Sequence, residues 1–243
     1  MTGPQAMNNY LASGIRYAAL LFGTTSLGAF LLFLFAGSLS IIEFGLRDKQ
    51  LLWLDAGLCA LFFIQHSWMI RTSFRRRVSA FIPPEWYSAV FAFVSGITLL
   101  AVVGLWQQSS WHIAAIGGPY RSLLRMLYFL SVAGLIWGVR SLRFFDPFGG
   151  REIVYSLRGK KPKAMPFAAR GPYRLVRHPF YFFVLIMLWV SPDLTADRLL
   201  FNVLWTIWII VGTVLEERDL VHELGNEYRE YQKRVPMFLP FTS

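Results

Sequence analysis

Two clusters in the last third of the chain have the residue types and spacing for chemistry. One is Arg177-His178-Pro179, with Tyr173 before it and Tyr181 after it. The other is Glu216-Glu217, followed by Tyr228 and Tyr231. Pro179 suits the first position of a helix, where its missing N–H costs nothing. A helix start presents free N–H groups and a partial positive charge. Arg177 and His178 add to that charge, so a carboxylate would bind there; the plainer alternative is an interfacial anchor with Arg177 on lipid phosphates. Glu216 and Glu217 leave an apolar run, where two carboxylates are costly unless hydrated or paired. They suit an ammonium or a sulfonium, or else a salt bridge to Arg218 or Arg174. Together the two clusters match the zwitterionic end of an amino-acid-like ligand. The tyrosines are either interfacial belt residues or rings that stack on a base and face a cation.

A third candidate is His66, within Phe63-Ile64-Gln65-His66-Ser67 near the end of an apolar run. An ionisable residue inside a span is a functional candidate, and a neutral helix-packing histidine is the alternative. Asp55 lies nearly three turns earlier. The sequence contains no GxGxxG after a strand, no Walker A, HExxH, CxxC or GxSxG. A site here has to be built from helix ends and loops.

Six apolar segments are available to position these residues: about 17–42, 51–70, 86–106, 123–145, 179–192 and 199–215. A span needs roughly 20 residues at 1.5 Å rise each, so the fifth is short and forms a hairpin with the sixth. From Glu216 to Val235 a tail helix is expected, with Leu220, Leu224, Tyr228, Tyr231 and Val235 on one stripe. Gly225 is its weak point, and Pro236 and Pro240 stop it.

Composition agrees. Of 243 residues, 55% are hydrophobic and 16% charged, which describes a polytopic membrane protein rather than a soluble domain. The net charge of +10 reads as topology. Arg71, Arg75, Arg76 and Arg77 follow the second segment, and residues 140–178 hold seven arginines and three lysines against Asp146 and Glu152. The positive-inside rule places both loops in the cytoplasm. Both termini and both chemical clusters then share that face. The aromatics sit inside apolar runs rather than along a basic groove, which excludes nucleic-acid binding. The single cysteine, Cys59, excludes an intrachain disulfide and a cysteine zinc site, and the four histidines have no short metal-ligand spacing. No cleavable signal peptide is expected.

The motif Gly171-Pro172-Tyr173 through Arg177-His178-Pro179-x-Tyr181, then Glu216-Glu217, Tyr228-x-x-Tyr231 and Val235-Pro236, resembles the integral-membrane methyltransferase superfamily, which includes isoprenylcysteine carboxyl methyltransferases. Gln65-His66-Ser67, the arginine-rich loop with Phe81 and Pro83, Phe145-Asp146-x-Phe148-Gly149 and Leu157-Arg158-Gly159 look like its methanethiol S-methyltransferase branch. The resemblance implies an all-α, polytopic membrane bundle of five to six spans with a C-terminal cytoplasmic helix. It implies a single domain over 1–243, with a four-helix membrane part (17–145) and a cofactor-binding part (146–243). It implies a cytoplasmic-side site for S-adenosyl-L-methionine made by Tyr173, Arg177, His178, Tyr181, Glu216, Glu217, Tyr228 and Tyr231. The acceptor would be a small apolar molecule from the bilayer, and no obligate protein partner is expected. Relatives often carry a small residue where this chain has Phe183, beside Phe182. Two phenylalanines narrow the pocket against a prenyl or lipid substrate and admit a small thiol.

The reaction so implied is in-line attack of a thiolate on a sulfonium methyl, methanethiol giving dimethyl sulfide, with the protein supplying alignment and a dry site. A cysteine thiol has a pKa of about 8.5, and an alkanethiol more, so His66 is the candidate base. Arg174 or Arg234 would serve an anionic acceptor such as an isoprenylcysteine carboxylate. Other readings are a lipid-amine methyltransferase, a non-catalytic membrane protein of nitrogen-oxide metabolism, and a nicotinamide-dependent membrane reductase.

Overall fold

The computed structural model describes residues 3–142, 146–160 and 169–239, with side chains from residue 8 onward. Arg143, Phe145 and Pro240, with two of the three lysines of 140–178 (Lys161 and Lys163), lie outside the described residues. The chain is an all-α membrane bundle. Among the described residues, five helices are long and apolar enough to span: α1 (Gly3–Ala36), α2 (Asp48–Met69), α4 (Tyr87–Leu105), α5 (Gly118–Ser141) and α8 (Ala196–Leu224). Shorter helices are α3 (Thr72–Val78), α6 (Gly150–Leu157), α7 (Pro179–Trp189) and α9 (Asn226–Arg234). Among the described residues, strands are limited to β1 (His112–Ala115) and β2 (Asp193–Thr195), which pair antiparallel.

The contacts divide the chain into two compact units. The first holds 1–46, 53–107 and 146–166. Here α1 lies along α4 on small residues, with Ala12, Ala19, Ala89 and Ala92 buried around Ile153. Side chains this small let two backbones approach without a driving force from water. A Cβ on Gly96 would meet the backbone of Phe22 at 2.9 Å. The Asp146-x-Phe148-Gly149 motif is structural in this unit. Asp146 accepts hydrogen bonds from the N–H of Arg151 (2.5 Å) and of Phe148 (3.4 Å), which starts α6. Gly149 turns with φ +64° against Ser88 and Ala89, and the Phe148 ring fills the space over Gly23.

The second unit holds 47–52, 108–145 and 167–243. Gly134 and Gly138 lie one turn apart on α5, and the rings of Phe183 and Phe180 on α7 pack over them. The Phe183 ring lies where a Cβ on Gly134 would have to stand. Gly171 is required by its φ of +54° and by Ser141 and Trp137, which leave no room for a side chain. It opens the 3₁₀ turn Gly171–Arg174 that leads into α7.

Several sequence boundaries shift. α1 stops at Ala36 rather than 42, because Gly37 leaves the helix with φ +91°. α5 begins at Gly118, five residues before the expected start. α7 has 11 residues, about 16 Å of helix, too short to span alone. The sixth span and the expected tail helix are not separate at Glu216. α8 runs unbroken to Leu224, and the chain breaks at Gly225 with φ +61° and ψ −129° before α9.

Candidate functional site

The site grows from three helix ends of the second unit: the start of α7, the last two turns of α8, and α9. Arg177 and His178 are held before α7 by their own backbone. Their N–H groups donate to the carbonyls of Pro236 (2.9 Å) and Met237 (3.2 Å). Pro236-Met237 is thus the strip on which the α7 start is laid.

Glu217 stands at the centre. Its two oxygens accept a forked pair from Arg177, Nε at 2.6 Å and Nη2 at 2.8 Å. His178 Nε2 lies 2.9 Å from Oε1. Gln232 Nε2 donates at 2.8 Å and the Tyr228 hydroxyl at 3.2 Å. The Arg177 and Glu217 side chains are only 9% and 8% exposed. Arg177 Nη1 donates to the carbonyls of Val235 (2.5 Å) and Gln232 (3.1 Å). Four side chains therefore satisfy one buried carboxylate, the condition under which such a charge is tolerated.

Glu216 points elsewhere, because neighbouring helical residues diverge by about 100°. Its side chain is 44% exposed. It accepts the Tyr181 hydroxyl at 2.8 Å and lies 3.9 Å from His178 Nδ1. The His178 and Tyr181 rings stack at 5.7 Å and 18°. An ionised carboxylate only accepts, so Glu217 fixes the proton on Nε2, and a neutral His178 presents Nδ1 as an acceptor.

The tyrosines are ties between elements. The Tyr231 hydroxyl donates to the Tyr173 carbonyl at 2.5 Å. Burial pushes that hydroxyl up to about 12. Burial, and then the Glu217 charge, push Tyr228 higher still, so both remain donors at neutral pH. Tyr173 is raised by burial, with Tyr231 and Glu216 adding. Beside this node is a cavity of about 350 Å³ lined by Val214, Glu217, Arg218, Val221, Gln232 and Met237.

Arg177, His178, Tyr181, Glu216, Glu217, Tyr228, Tyr231 and Tyr173 thus come together. Arg177 and Glu217, read from sequence as binders of opposite ligand charges, bind each other. Arg174 and Arg234 are exposed and donate to nearby carbonyls, Ala169 at 3.4 Å and Glu230 at 3.1 Å, without joining the node. Phe183 lies in the α5–α7 seam. His66 belongs to the first unit, flanked by the rings of Phe62 (5.3 Å) and Phe91 (4.9 Å). Its neighbour Gln65 donates to Ser95 (3.2 Å) and accepts from Thr98 (2.8 Å). Gln232 was not singled out from the sequence. Its one signal was position, four residues after Tyr228 and therefore on the same face of α9. The cavity wall residues Val214, Val221 and Met237 carried no signal beyond being apolar.

Apolar spans with a charged node at their helix ends define an integral-membrane protein whose candidate site is built from helix ends. The chain is 36% identical over 187 residues to a methanethiol S-methyltransferase from a Pseudomonas species, covering 76% of this chain and 72% of that protein. It is 34% identical over 192 residues to the methanethiol S-methyltransferase of Pseudomonas deceptionensis, covering 78% and 72%. More distantly, it is 29% identical over 144 residues to the human protein-S-isoprenylcysteine O-methyltransferase, covering 55% and 49%. No family model matches, and no solved structure matches. The chain belongs to the methanethiol S-methyltransferase family, and it is a membrane methyltransferase.

Proposed function

We propose that this enzyme transfers a methyl group from S-adenosyl-L-methionine to methanethiol, giving dimethyl sulfide. The observation that carries the reading is the division of labour in the node. Glu217 holds Arg177 and the Nε2 side of His178. Glu216 and His178 Nδ1 stand 3.9 Å apart, as two acceptors that suit the N–H donors of an ammonium. The first-turn N–H groups of α7, beside His178, suit a carboxylate. The residues therefore fit an amino-acid-like cofactor, with Tyr181 holding Glu216 in place. Family membership supplies the acceptor, since the relatives above are named for methanethiol.

The cofactor, when bound, supplies a methyl group activated on a sulfonium. The chain's own work is then alignment and water exclusion. Glu216, His178 and Tyr181 position the donor, and Arg177, Glu217, Tyr228 and Gln232 fix that set. The acceptor's S–H must lose its proton, and His66 is the proposed base. Held by Glu216, His178 and Tyr181, the cofactor would supply its sulfonium methyl to the acceptor thiolate and would leave as the thioether. The acceptor is proposed to enter from the bilayer, with the cofactor side facing the cytoplasm.

A headspace assay tests this. Purified protein in lipid receives S-adenosylmethionine and methanethiol, and dimethyl sulfide is followed against Glu216→Gln. Enzyme-dependent product is expected. Cofactor binding without product moves the acceptor to another class, and absence of both in folded protein removes the reading. His66→Ala is expected to lower turnover more than cofactor affinity. Full activity of that variant from about pH 6 to 9 would remove the base.

A further inference from the structure

The segment between α2 and α4 has no part in the proposed reaction, and its chemistry is distinctive. No Asp or Glu occurs from residue 56 to 84, while Arg71, Arg75, Arg76 and Arg77 crowd into seven residues. None of the four forms an ion pair among the described residues. The nearest following acid, Glu85, accepts the hydroxyl of Ser156 at 3.1 Å.

The segment is an ordered platform. The Tyr87 hydroxyl donates to the Met69 carbonyl, joining the end of α2 to the start of α4. The Arg75 guanidinium lies 5.4 Å over the Tyr87 ring. Backbone bonds Arg75 to Arg71, Ser79 to Arg75 and Ile82 to Val78 hold the turns between them, at 3.0, 3.0 and 2.9 Å. Because α2 and α4 are both span candidates, α3 is kept at the level of a membrane surface.

At 100° per residue, Phe74 and Val78 share one face of α3. Arg75 and Arg77 fall about 80° to either side of it, and Arg76 lies opposite. The apolar face is half-buried, with the Phe74 ring 5.8 Å from that of Trp68, while the three arginines are exposed; an interfacial helix has such an apolar face with cations at headgroup depth on both flanks. Trp68 and Ile70 are exposed before α3, and Phe81 is 88% exposed after it. In water such a surface would be unfavourable, whereas at a bilayer it supplies depth while the arginines supply charge.

We infer that α3 is a docking site for anionic phospholipid headgroups, with Arg75 and Arg77 as the phosphate-facing pair. A cation near an anionic bilayer contributes about fivefold in affinity, so two contribute about 25-fold. The inference concerns lipid recognition and stands apart from the methyl-transfer reading.

The test is titration of detergent-purified protein with phosphatidylglycerol or phosphatidylcholine, with bound lipids counted by native mass spectrometry and melting followed in parallel. Phosphatidylglycerol is expected to be retained and to raise the melting temperature, and phosphatidylcholine is not. Arg75→Gln with Arg77→Gln should weaken phosphatidylglycerol binding about 25-fold, while Arg76→Gln changes it least and the double lysine variant retains most of it. Because Arg75 also lies on Tyr87, Arg77→Gln alone, expected to cost about fivefold, covers the case in which the double variant does not fold. Equal retention of the two lipids overturns the proposal. So does a preference that survives in the glutamine variants and disappears with Arg158→Gln and Lys160→Gln.

Discussion

At one end of α8, Glu217 collects Arg177, His178, Tyr228 and Gln232. At the other end, 20 residues and about 30 Å of helix away, Asp197 accepts the Ser109 N–H at 2.9 Å, and β2 places Asp193 against Arg121. Both ends use a forked arginine–carboxylate pair. Arg121 donates Nη1 and Nη2 to the two oxygens of Asp193 at 2.9 and 2.6 Å, much as Arg177 grips Glu217. The chemistry is the same and the setting is not. The Arg121 and Asp193 side chains are 43% and 47% exposed, against 9% and 8% for Arg177 and Glu217. Water can replace either partner at the Asp193 end. At the Glu217 end burial and four side-chain donors hold the pair, so the node is a fixed frame and the neighbouring Glu216 is the carboxylate left facing outward.

The sharpest way to break the comparison is Glu217→Ala. It leaves Arg177 buried without its partner, a loss of about 3–5 kcal/mol. A large fall in melting temperature is expected, with activity lost along with the fold. Unchanged melting would show that Glu217 is not a frame residue. Arg177→Ala should behave alike, and the two losses should be strongly non-additive in the double variant.

Glu216→Gln should separate binding from stability. The half-exposed carboxylate supports little of the fold, but a charged hydrogen bond to a ligand is worth about 1.5–3 kcal/mol. Cofactor affinity should fall about 10- to 150-fold, with melting nearly unchanged. Isothermal titration checks the first effect and differential scanning the second. A matching fall in both would mean that Glu216 also belongs to the frame.

Tyr228→Phe removes one of the four donors to Glu217. Its 3.2 Å bond is the longest of the set, and the remaining donors still satisfy the carboxylate. A loss of about 1 kcal/mol is expected, read as a modest shift in chemical denaturation. A loss as large as that of Glu217→Ala would mean that α9 docking depends on this hydroxyl alone.

Much of this frame could be read from residue types. Arg177-His178-Pro179 and Glu216-Glu217 stand out because charge is costly beside apolar runs, and the spans follow from length and hydropathy. The inward glutamate could not be read, since it depends on the rotation of α8 about its axis. The end of α8 is not legible for a related reason. A pair of glutamates marks a change of solvent, not a break in backbone hydrogen bonding. Nothing from Thr213 to Leu224 stops a helix, and Gly225 is the next residue that can. Phe183 suggested a narrowed pocket only while its partner was unknown. The Gly134 surface that receives it lies 49 residues away in sequence, on a face of α5 that periodicity alone does not specify. α3 and α6 lie in connecting segments and hold only seven and eight residues, too few to show helical periodicity.

The smallest effect belongs to the exposed end. Asp193→Asn removes the forked pair with Arg121 but leaves both side chains in water, where such pairs are worth about 0–1 kcal/mol. The hydrogen bond from Arg121 holds the Asp193 carboxyl below its ordinary value of 3.8. A depressed carboxylate stabilises the fold fully above the unfolded value, and that contribution disappears as pH falls through the folded one. The melting difference between wild type and Asp193→Asn should therefore be small and constant above about pH 4, then shrink below it. A difference that instead rivals Glu217→Ala at neutral pH would place the β1–β2 pairing, rather than burial, in control of this end of α8.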